Sequence, residues 1–408
     1  MIVDIINKKR LGEELSYKEL DYFFNSYLEG SIPDYQMSAL LMAICINGMS
    51  DEEVFCLTKI FVDSGEVLDF SKKIGKYVDK HSTGGIGDKT TLIIAPILAA
   101  CGVPIVKMSG RGLGYTGGTI DKLESIPGFN VNLTEKEIIK EVKDLGLVIS
   151  SQTANLVPMD KMIYSLRDVT GTVSSLGLIA SSVMSKKIAS GASCIVIDLK
   201  VGNGALVNNM KDAKKLEQLM LDIGKIYHRD VKVIINDMNT PLGYAIGNSL
   251  EVVEAMEVLE GNYSNSHLVE VCYELASELI CMAKGVRKSE AIKMVDDSIK
   301  NLTAYNKFLK FIEYQGGNIT KLRVSTKTKN IRSYKTGKIT KIDALEIGKL
   351  SMRLGAGRAN KKDKIDYTVG VKLHKQVGDS VKKGDLLATL YVKDNIRVNN
   401  VKEMFEIK

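Results

Sequence analysis

Residues 76–124 alternate in a way that few folds accommodate. Lys76-Tyr77-Val78 is strand-like, and Asp79-Lys80-His81-Ser82-Thr83-Gly84-Gly85-Ile86-Gly87-Asp88-Lys89-Thr90-Thr91 is a glycine-rich loop. An apolar helix is expected from Thr90 to Cys101, then a second strand, Val103-Pro104-Ile105-Val106-Lys107. A second glycine-rich run extends from Ser109 to Glu124. Strand, loop, helix and strand in this order is the pattern of a parallel sheet with helical crossovers. It recurs where the capping box Thr134–Glu137 starts a helix leading to Leu147-Val148-Ile149. Cys194 to Leu199 and Lys232 to Ile235 read as further buried strands, the first closed by the loop Gly202-Asn203-Gly204.

Around this α/β pattern the chain is helical. The first 65 residues carry two capping boxes, Ser16–Glu19 and Ser50–Glu53, and a helix-starting Pro33. Between the boxes, Tyr35 to Ile46 is apolar on most sides, so that helix is either central to a lobe or covered by a partner subunit. Met159 to Ile188 returns to helical patterning, and the composition from about 318 turns basic and β-like. The expected fold is α/β with a small all-α lobe. Its sheet is mixed but mainly parallel and flanked by helices, with a C-terminal α+β subdomain resembling a lipoyl-type β-sandwich hybrid. The expected divisions are 1–70 and 159–191 for the helical lobe, 71–158 and 192–325 for the α/β domain, and 326–408 for the C-terminal subdomain. The Val377-Gly378-Asp379 turn lacks an attachment lysine of the Met-Lys-Met type, so that subdomain is expected to be structural rather than a carrier.

A chain of 408 residues buries a large core and is expected to divide into two or three domains. No apolar run approaches the ~18 residues of a membrane span, and the start lacks the basic and apolar regions of a signal peptide. Six cysteines stand far apart without a CxxC pair, which reads as reduced thiols and a cytoplasmic protein. The net charge of +7 is spread along the chain, as either a solvated surface or an attraction for anions. No basic stripe interleaved with aromatics points to nucleic acid.

The loops carry the chemistry. A glycine loop feeding a helix N-terminus presents unpaired N–H groups and the positive end of the helix dipole to an anion. Gly84, Gly85 and Gly87 permit close approach, while Lys80, Ser82 and Thr91 supply charge and hydroxyls. Lys107, Ser109 and Thr119 repeat that set from the next strand. Glycine placed for steric reasons alone is the plain alternative for either loop. Neither loop is a Walker A motif, and the GxGxxG match at Gly112–Gly117 is a weak signal, because no strand precedes it closely enough, with an acidic residue ~20 positions on, to make a dinucleotide site convincing. His81, between Lys80 and Ser82, is placed for a site role. Ser182 and Lys186, four apart, share a helix face, and with Arg167 could hold a polar heterocycle; a solvated Ser-Lys-Lys face is the other reading.

These residues resemble the thymidine and pyrimidine-nucleoside phosphorylases. The likeness rests on Lys80 to Asp88 and on Ser109 to Glu124, the diagnostic run. It extends through Leu166-Arg167-Asp168-Val169-Thr170, Ile179 to Lys187, Pro241-Leu242-Gly243 and Leu354 to Arg358. It implies reversible phosphorolysis of a pyrimidine nucleoside (uridine, thymidine, deoxyuridine) to the base and an α-D-(deoxy)ribose 1-phosphate, in nucleoside salvage. It also implies a homodimer joined through helical lobes, with the active site between the lobes. Lys80, Ser82, Thr91, Lys107, Ser109 and Thr119 are implied to bind phosphate, and Arg167, Ser182 and Lys186 the pyrimidine. His81, Arg167 and Lys186 are the implied catalytic groups.

Inorganic phosphate is then the co-substrate and no organic cofactor is expected. Gly87, Leu242, Ala245 and Glu254 match a monovalent-cation site for potassium. Three positions depart from the pattern: Tyr115 stands where histidine is common, Leu206 replaces a frequent aromatic, and Lys89 replaces a small hydroxyl residue of the cation site, its ammonium pairing with Glu254 in the cation's place being the alternative to potassium. A thymidine phosphorylase restricted to deoxynucleosides is the near alternative. An anthranilate-phosphoribosyltransferase-like enzyme is a more distant one, disfavoured by the Lys-His-Ser-Thr-Gly-Gly order and the Arg167/Lys186 pair.

Overall fold

The computed structural model describes residues 2–112, 115, 117–153, 155–263, 266–358, 363–393 and 401–408. Leu113, Gly114 and Thr116 of the second glycine run therefore lie outside the described residues. The chain divides into two compact units, the first made of Met1–Gly75, Thr153–Ile197 and Asn209–Val233, the second of Lys76–Gln152, Asp198–Asn208 and Ile234–Lys408. No helix among the described residues is long and apolar enough to cross a membrane.

The first unit is helical. Both expected capping boxes form: Ser16 and Glu19 start the helix Tyr17–Leu28, and Ser50 and Glu53 start Asp51–Asp63. Glu53 also receives the buried Lys9 ammonium at 2.8 and 2.7 Å and the Leu15 amide at 2.8 Å, which ties three segments to one carboxylate. The helix Leu176–Ala189 is buried on nearly all sides and packs along Asp51–Asp63, where the Thr58 and Ser181 hydroxyls meet at 3.2 Å. Their close approach requires Gly177, whose added Cβ would stand 2.9 Å from both Met49 Sδ and Val54 Cγ2.

The helix Met210–Ile226 belongs to this unit, although the sequence expectation grouped 192–325 together. Its apolar face of Ala213, Leu216, Leu219, Met220 and Ile223 packs on Leu176–Ala189 and Asp51–Asp63. Tertiary burial of one helix face, rather than chain continuity, decides its membership.

The main sheet has the strands β1 (Val78–Ser82), β2 (Ile105–Ser109), β3 (Leu147–Ser151), β4 (Cys194–Val201) and β5 (Asp230–Asp237), in the order β3-β2-β1-β4-β5. β1 pairs parallel with β2, and β2 parallel with β3. The chain passes from one unit to the other within β4 and within β5. β1 runs to Ser82, further than the strand-like triplet 76–78, so Lys80 and Ser82 are strand residues rather than loop residues. The order reverses beside β1, the topological switch at whose carboxyl end ligands of open α/β sheets bind.

The C-terminal part of the second unit holds two antiparallel sheets. One joins Ala245–Ile246, Gly370–Leu373, Leu386–Tyr391 and Thr328–Arg332; the other joins Ser380–Val381, Gly337–Ile342 and Phe405–Ile407. The segment Ala245–Ile246 thus supplies an edge strand to the C-terminal sheet.

Candidate active site

The carboxyl ends of β1 and β2 carry matched residues. Val78 pairs with Ile105, and that parallel register, continued, sets Lys80 opposite Lys107 and Ser82 opposite Ser109. Ser82 Oγ accepts the Gly84 amide at 3.2 Å, which begins the turn into the loop, and Gly84 and Gly87 take φ of +90° and +76°. The helix Thr90–Ala100 then starts without a side-chain cap at its first position, Lys89. Thr91 lies in its first turn and is 6% exposed. Thr119 opens the helix Thr119–Glu124 after Gly118, whose added Cβ would stand 2.1 Å from the Gly112 nitrogen.

Behind these ends lies a buried charge network that the sequence pattern alone did not reveal. Lys80, with no exposed surface, donates to Thr90 Oγ1 at 2.6 Å and pairs with Asp198 Oδ2 at 3.1 Å. Asp198 also meets Lys200 Nζ at 2.8 Å and Asn236 Nδ2 at 2.7 Å. Asp88 accepts the Thr90 hydroxyl at 2.6 Å. Burial alone would raise the Asp88 carboxyl, but Lys80, Lys200 and the hydroxyls of Ser82 and Thr90 hold it well below the usual carboxylate range. Burial likewise opposes charge on Lys80, yet Asp88 and Asp198 raise its pKa and keep it an ammonium.

Two lysines face two carboxylates, so the charges of this network balance internally. Lys80 is held inside it, with Thr90 and Asp198 as its contacts. The signal available in the sequence was Asp198 and Lys200, two charges within an otherwise apolar strand. Lys107 is 4% exposed and its ammonium donates to the Met108 carbonyl at 3.1 Å. His81, on the opposite face of β1 from Lys80, is half-buried. Lys122 anchors the loops by donating to Asp88 O at 3.0 Å and Gly117 O at 2.8 Å, with Glu251 3.2 Å away.

The helical unit brings together the other predicted set. Asp160, Tyr164 and Arg167 lie at i, i+4 and i+7 on the helix Pro158–Thr170, and Ser182 and Lys186 at i, i+4 on Leu176–Ala189. Lys186 Nζ donates to Asp160 Oδ2 at 2.7 Å and to Ser182 Oγ at 3.1 Å. Arg167, 1% exposed, donates to the carbonyls of Thr172 at 3.2 Å, Val173 at 2.8 Å and Leu178 at 3.2 Å. The Tyr164 ring lies 5.7 Å from the Arg167 guanidinium carbon and 5.5 Å from Lys186 Nζ, within cation–π range of both. Burial lowers the guanidinium pKa, against the opposing charge of Asp160. Asp160 Oδ1 is buried without a hydrogen-bond partner, which leaves an acceptor beside the lysine. Asp160 and Tyr164 were not anticipated, although their helical spacing from Arg167 was available.

Gly87, Leu242, Ala245 and Glu254 also converge. A Cβ added at Gly87 would stand 2.6 Å from the Leu242 carbonyl and 3.4 Å from that of Ala245. Glu254 accepts the amides of Tyr244 at 2.7 Å and Ala245 at 2.8 Å. Lys89 Nζ lies among them, donating to Leu242 O at 2.8 Å and Glu254 Oε2 at 2.7 Å. The two other departures, Tyr115 and Leu206, are exposed at 39% and 40%.

Comparison with known proteins agrees with this construction. Residues 74–305 match the glycosyl transferase family a/b domain, residues 3–65 its helical bundle domain, and residues 338–408 the pyrimidine nucleoside phosphorylase C-terminal domain. The pyrimidine-nucleoside phosphorylase of Staphylococcus haemolyticus is 48% identical, covering 96% of this chain and 92% of the relative. That of Bacillus subtilis is also 48% identical, covering 97% and 96%, and that of Geobacillus stearothermophilus 47%, covering 98% and 94%. Among solved structures, anthranilate phosphoribosyltransferase from Thermus thermophilus aligns over 76% of this chain and 99% of its own, with a TM-score of 0.60 and 15% identity, a likeness of fold alone. With relatives of nearly half identity across more than nine-tenths of its length, the chain belongs to the pyrimidine-nucleoside phosphorylase family.

Proposed function

We propose that this chain catalyses the reversible phosphorolysis of uridine, thymidine and deoxyuridine, releasing the pyrimidine and forming the pentose 1-phosphate. The observation that carries the reading is the pair of cations Arg167 and Lys186 flanking Tyr164, with Ser182 on the lysine. Cleavage of the N-glycosidic bond leaves negative charge on the departing base and positive charge on the sugar. Lys186 and Arg167 are the proposed stabilisers of the base, and Ser182 is proposed to orient it by a hydrogen bond. Asp160 fixes the lysine ammonium in place at 2.7 Å.

In the α/β unit, Ser82, Thr91, Ser109 and Thr119, with the ammoniums of Lys80 and Lys107, are the proposed phosphate ligands. The bound phosphate offsets the sugar's developing charge and attacks the anomeric carbon from the face opposite the base. His81 is assigned a hydrogen bond to a base carbonyl. Inorganic phosphate is the co-substrate, and the reaction uses no organic cofactor. The six cysteines are all free, which accords with a cytoplasmic setting. A homodimer through the helical unit is also proposed, because Tyr35, Met42 and Ile46 of the helix Asp34–Asn47 are 74%, 40% and 75% exposed.

The test is chromatographic. Uracil or thymine release from the nucleosides should require inorganic phosphate and yield one pentose 1-phosphate per base. Release that needs a phosphoribosyl pyrophosphate and Mg²⁺ instead would overturn the reading. Steady-state rates on uridine and thymidine separate the broad specificity from one restricted to deoxynucleosides.

A further inference from the structure

Lys89 is an unusual residue to bury completely. Its side chain has no exposed surface, and burying a lysine so completely is costly unless its charge is matched and its donors are used. Its partners are the Leu242 carbonyl at 2.8 Å and Glu254 Oε2 at 2.7 Å. The surroundings are those of a cation cage rather than a surface ion pair. Carbonyls of Leu242 and Ala245 border Gly87, whose φ of +76° and lack of a Cβ let them approach. Glu254 supplies the negative charge, steadied by the amides of Tyr244 and Ala245.

This cage does not fit a potassium ion as well as the lysine. An ion on the same oxygens would stand against the ammonium, with two positive charges sharing the one carboxylate. At contact distance and low dielectric that repulsion is large. Nor is the ammonium's position incidental. The Leu242 amide donates to Ile86 O at 2.9 Å, so the turn 242–245 is tied to the first glycine loop. One charge thereby links the start of Thr90–Ala100, that turn, and the helix Asn248–Leu259.

We propose that Lys89 is a built-in replacement for a monovalent cation, a positioning residue that frees the glycine loop's geometry from dependence on potassium. Any phosphate held by that loop then binds with an affinity indifferent to the surrounding alkali cation. The inference concerns folding of the loop and stands whether or not the reaction proposed above is correct.

Thermal unfolding of the wild type and of Lys89→Thr, each in potassium, sodium and choline chloride at one ionic strength, tests it. The wild-type Tm should be the same in all three salts. Lys89→Thr, which restores a small hydroxyl, should melt about 5 °C lower in choline, the order expected for a broken buried pair in a chain of this size. Potassium should restore most of that loss saturably, a rescue that a merely structural lysine would not give. A saturable potassium rise in the wild-type Tm overturns the proposal, and so does a folded Lys89→Thr that responds equally to all three salts. The wild-type arm needs no variant, so it can overturn the proposal even where Lys89→Thr does not fold.

Discussion

Lys186 and Asp160 define the residue scale, because neither can be judged alone. Replacing Lys186 by alanine removes the group proposed to stabilise the leaving base. It also strands the Asp160 carboxylate, whose side chain is 2% exposed and whose other oxygen already lacks a partner. An unpaired buried charge costs about 3–5 kcal/mol, so Lys186→Ala is expected to lose stability as well as activity. The double variant Asp160→Asn/Lys186→Gln removes both charges and should recover most of the lost Tm. Its kcat/KM should stay about 100-fold or more below wild type, the scale of losing one oxyanion-type donor. Recovery of turnover together with Tm would show that the lysine acts only through stability. The Ser182–Lys186 spacing was legible in the sequence because helical geometry fixes i, i+4 neighbours. The Asp160 partner was not, since its contact crosses from one helix to another and depends on how the two pack.

At the scale of elements, the helix Glu135–Leu145 shows what periodicity conveys and what it leaves out. Thr134 and Glu137 form the expected capping box, and Ile138, Glu141, Val142 and Leu145 are its buried residues, at i, i+3, i+4 and i+7. The spacing makes that inward face legible, but it gives no reason for a carboxyl within it. Glu141 Oε1 is buried without a hydrogen-bond partner, and burial pushes its pKa up to about 8 from 4.5. Between those two values the folded state keeps a proton that the unfolded chain has released. Stability therefore falls as pH rises across that window and is lowest above pH 8. Glu141→Gln removes the ionisable group and keeps the volume. Denaturant titrations should find the variant close to wild type near pH 4.5 and more stable by a few kcal/mol above pH 8. An unchanged difference across that range would mean that Glu141 ionises freely in the folded protein. The strand ends show a similar division: the lysine and serine pairs were visible as a repeated pattern, whereas their opposition across β1 and β2 is a matter of register.

For the whole molecule, the alternation of helical and α/β segments was legible from changes of hydrophobic period, because each change alters which residues face a core. The return of Met210–Ile226 to the helical unit was not, since its amphipathic face fits either unit equally well on pattern alone. The same ambiguity attends the helix Asp34–Asn47, which is apolar on most sides. Within its unit it buries Met37, Leu40, Leu41 and Ile44 and leaves Tyr35, Met42 and Ile46 in solvent. The latter three stand at i, i+7 and i+11, one continuous stripe. Val169 on the neighbouring helix Pro158–Thr170 is also 66% exposed. A monomer gains nothing from such a stripe, whereas a two-fold axis would bury it against its own copy, which is how the commonest homo-oligomers are built. Light scattering of the wild type at micromolar concentration should give twice the chain mass. Tyr35→Lys/Ile46→Lys places two like charges from each copy on the stripe and should halve that mass while leaving the far-UV dichroism unchanged. A wild type of single-chain mass, or a charged variant that still runs at double mass, would remove this face from the assembly.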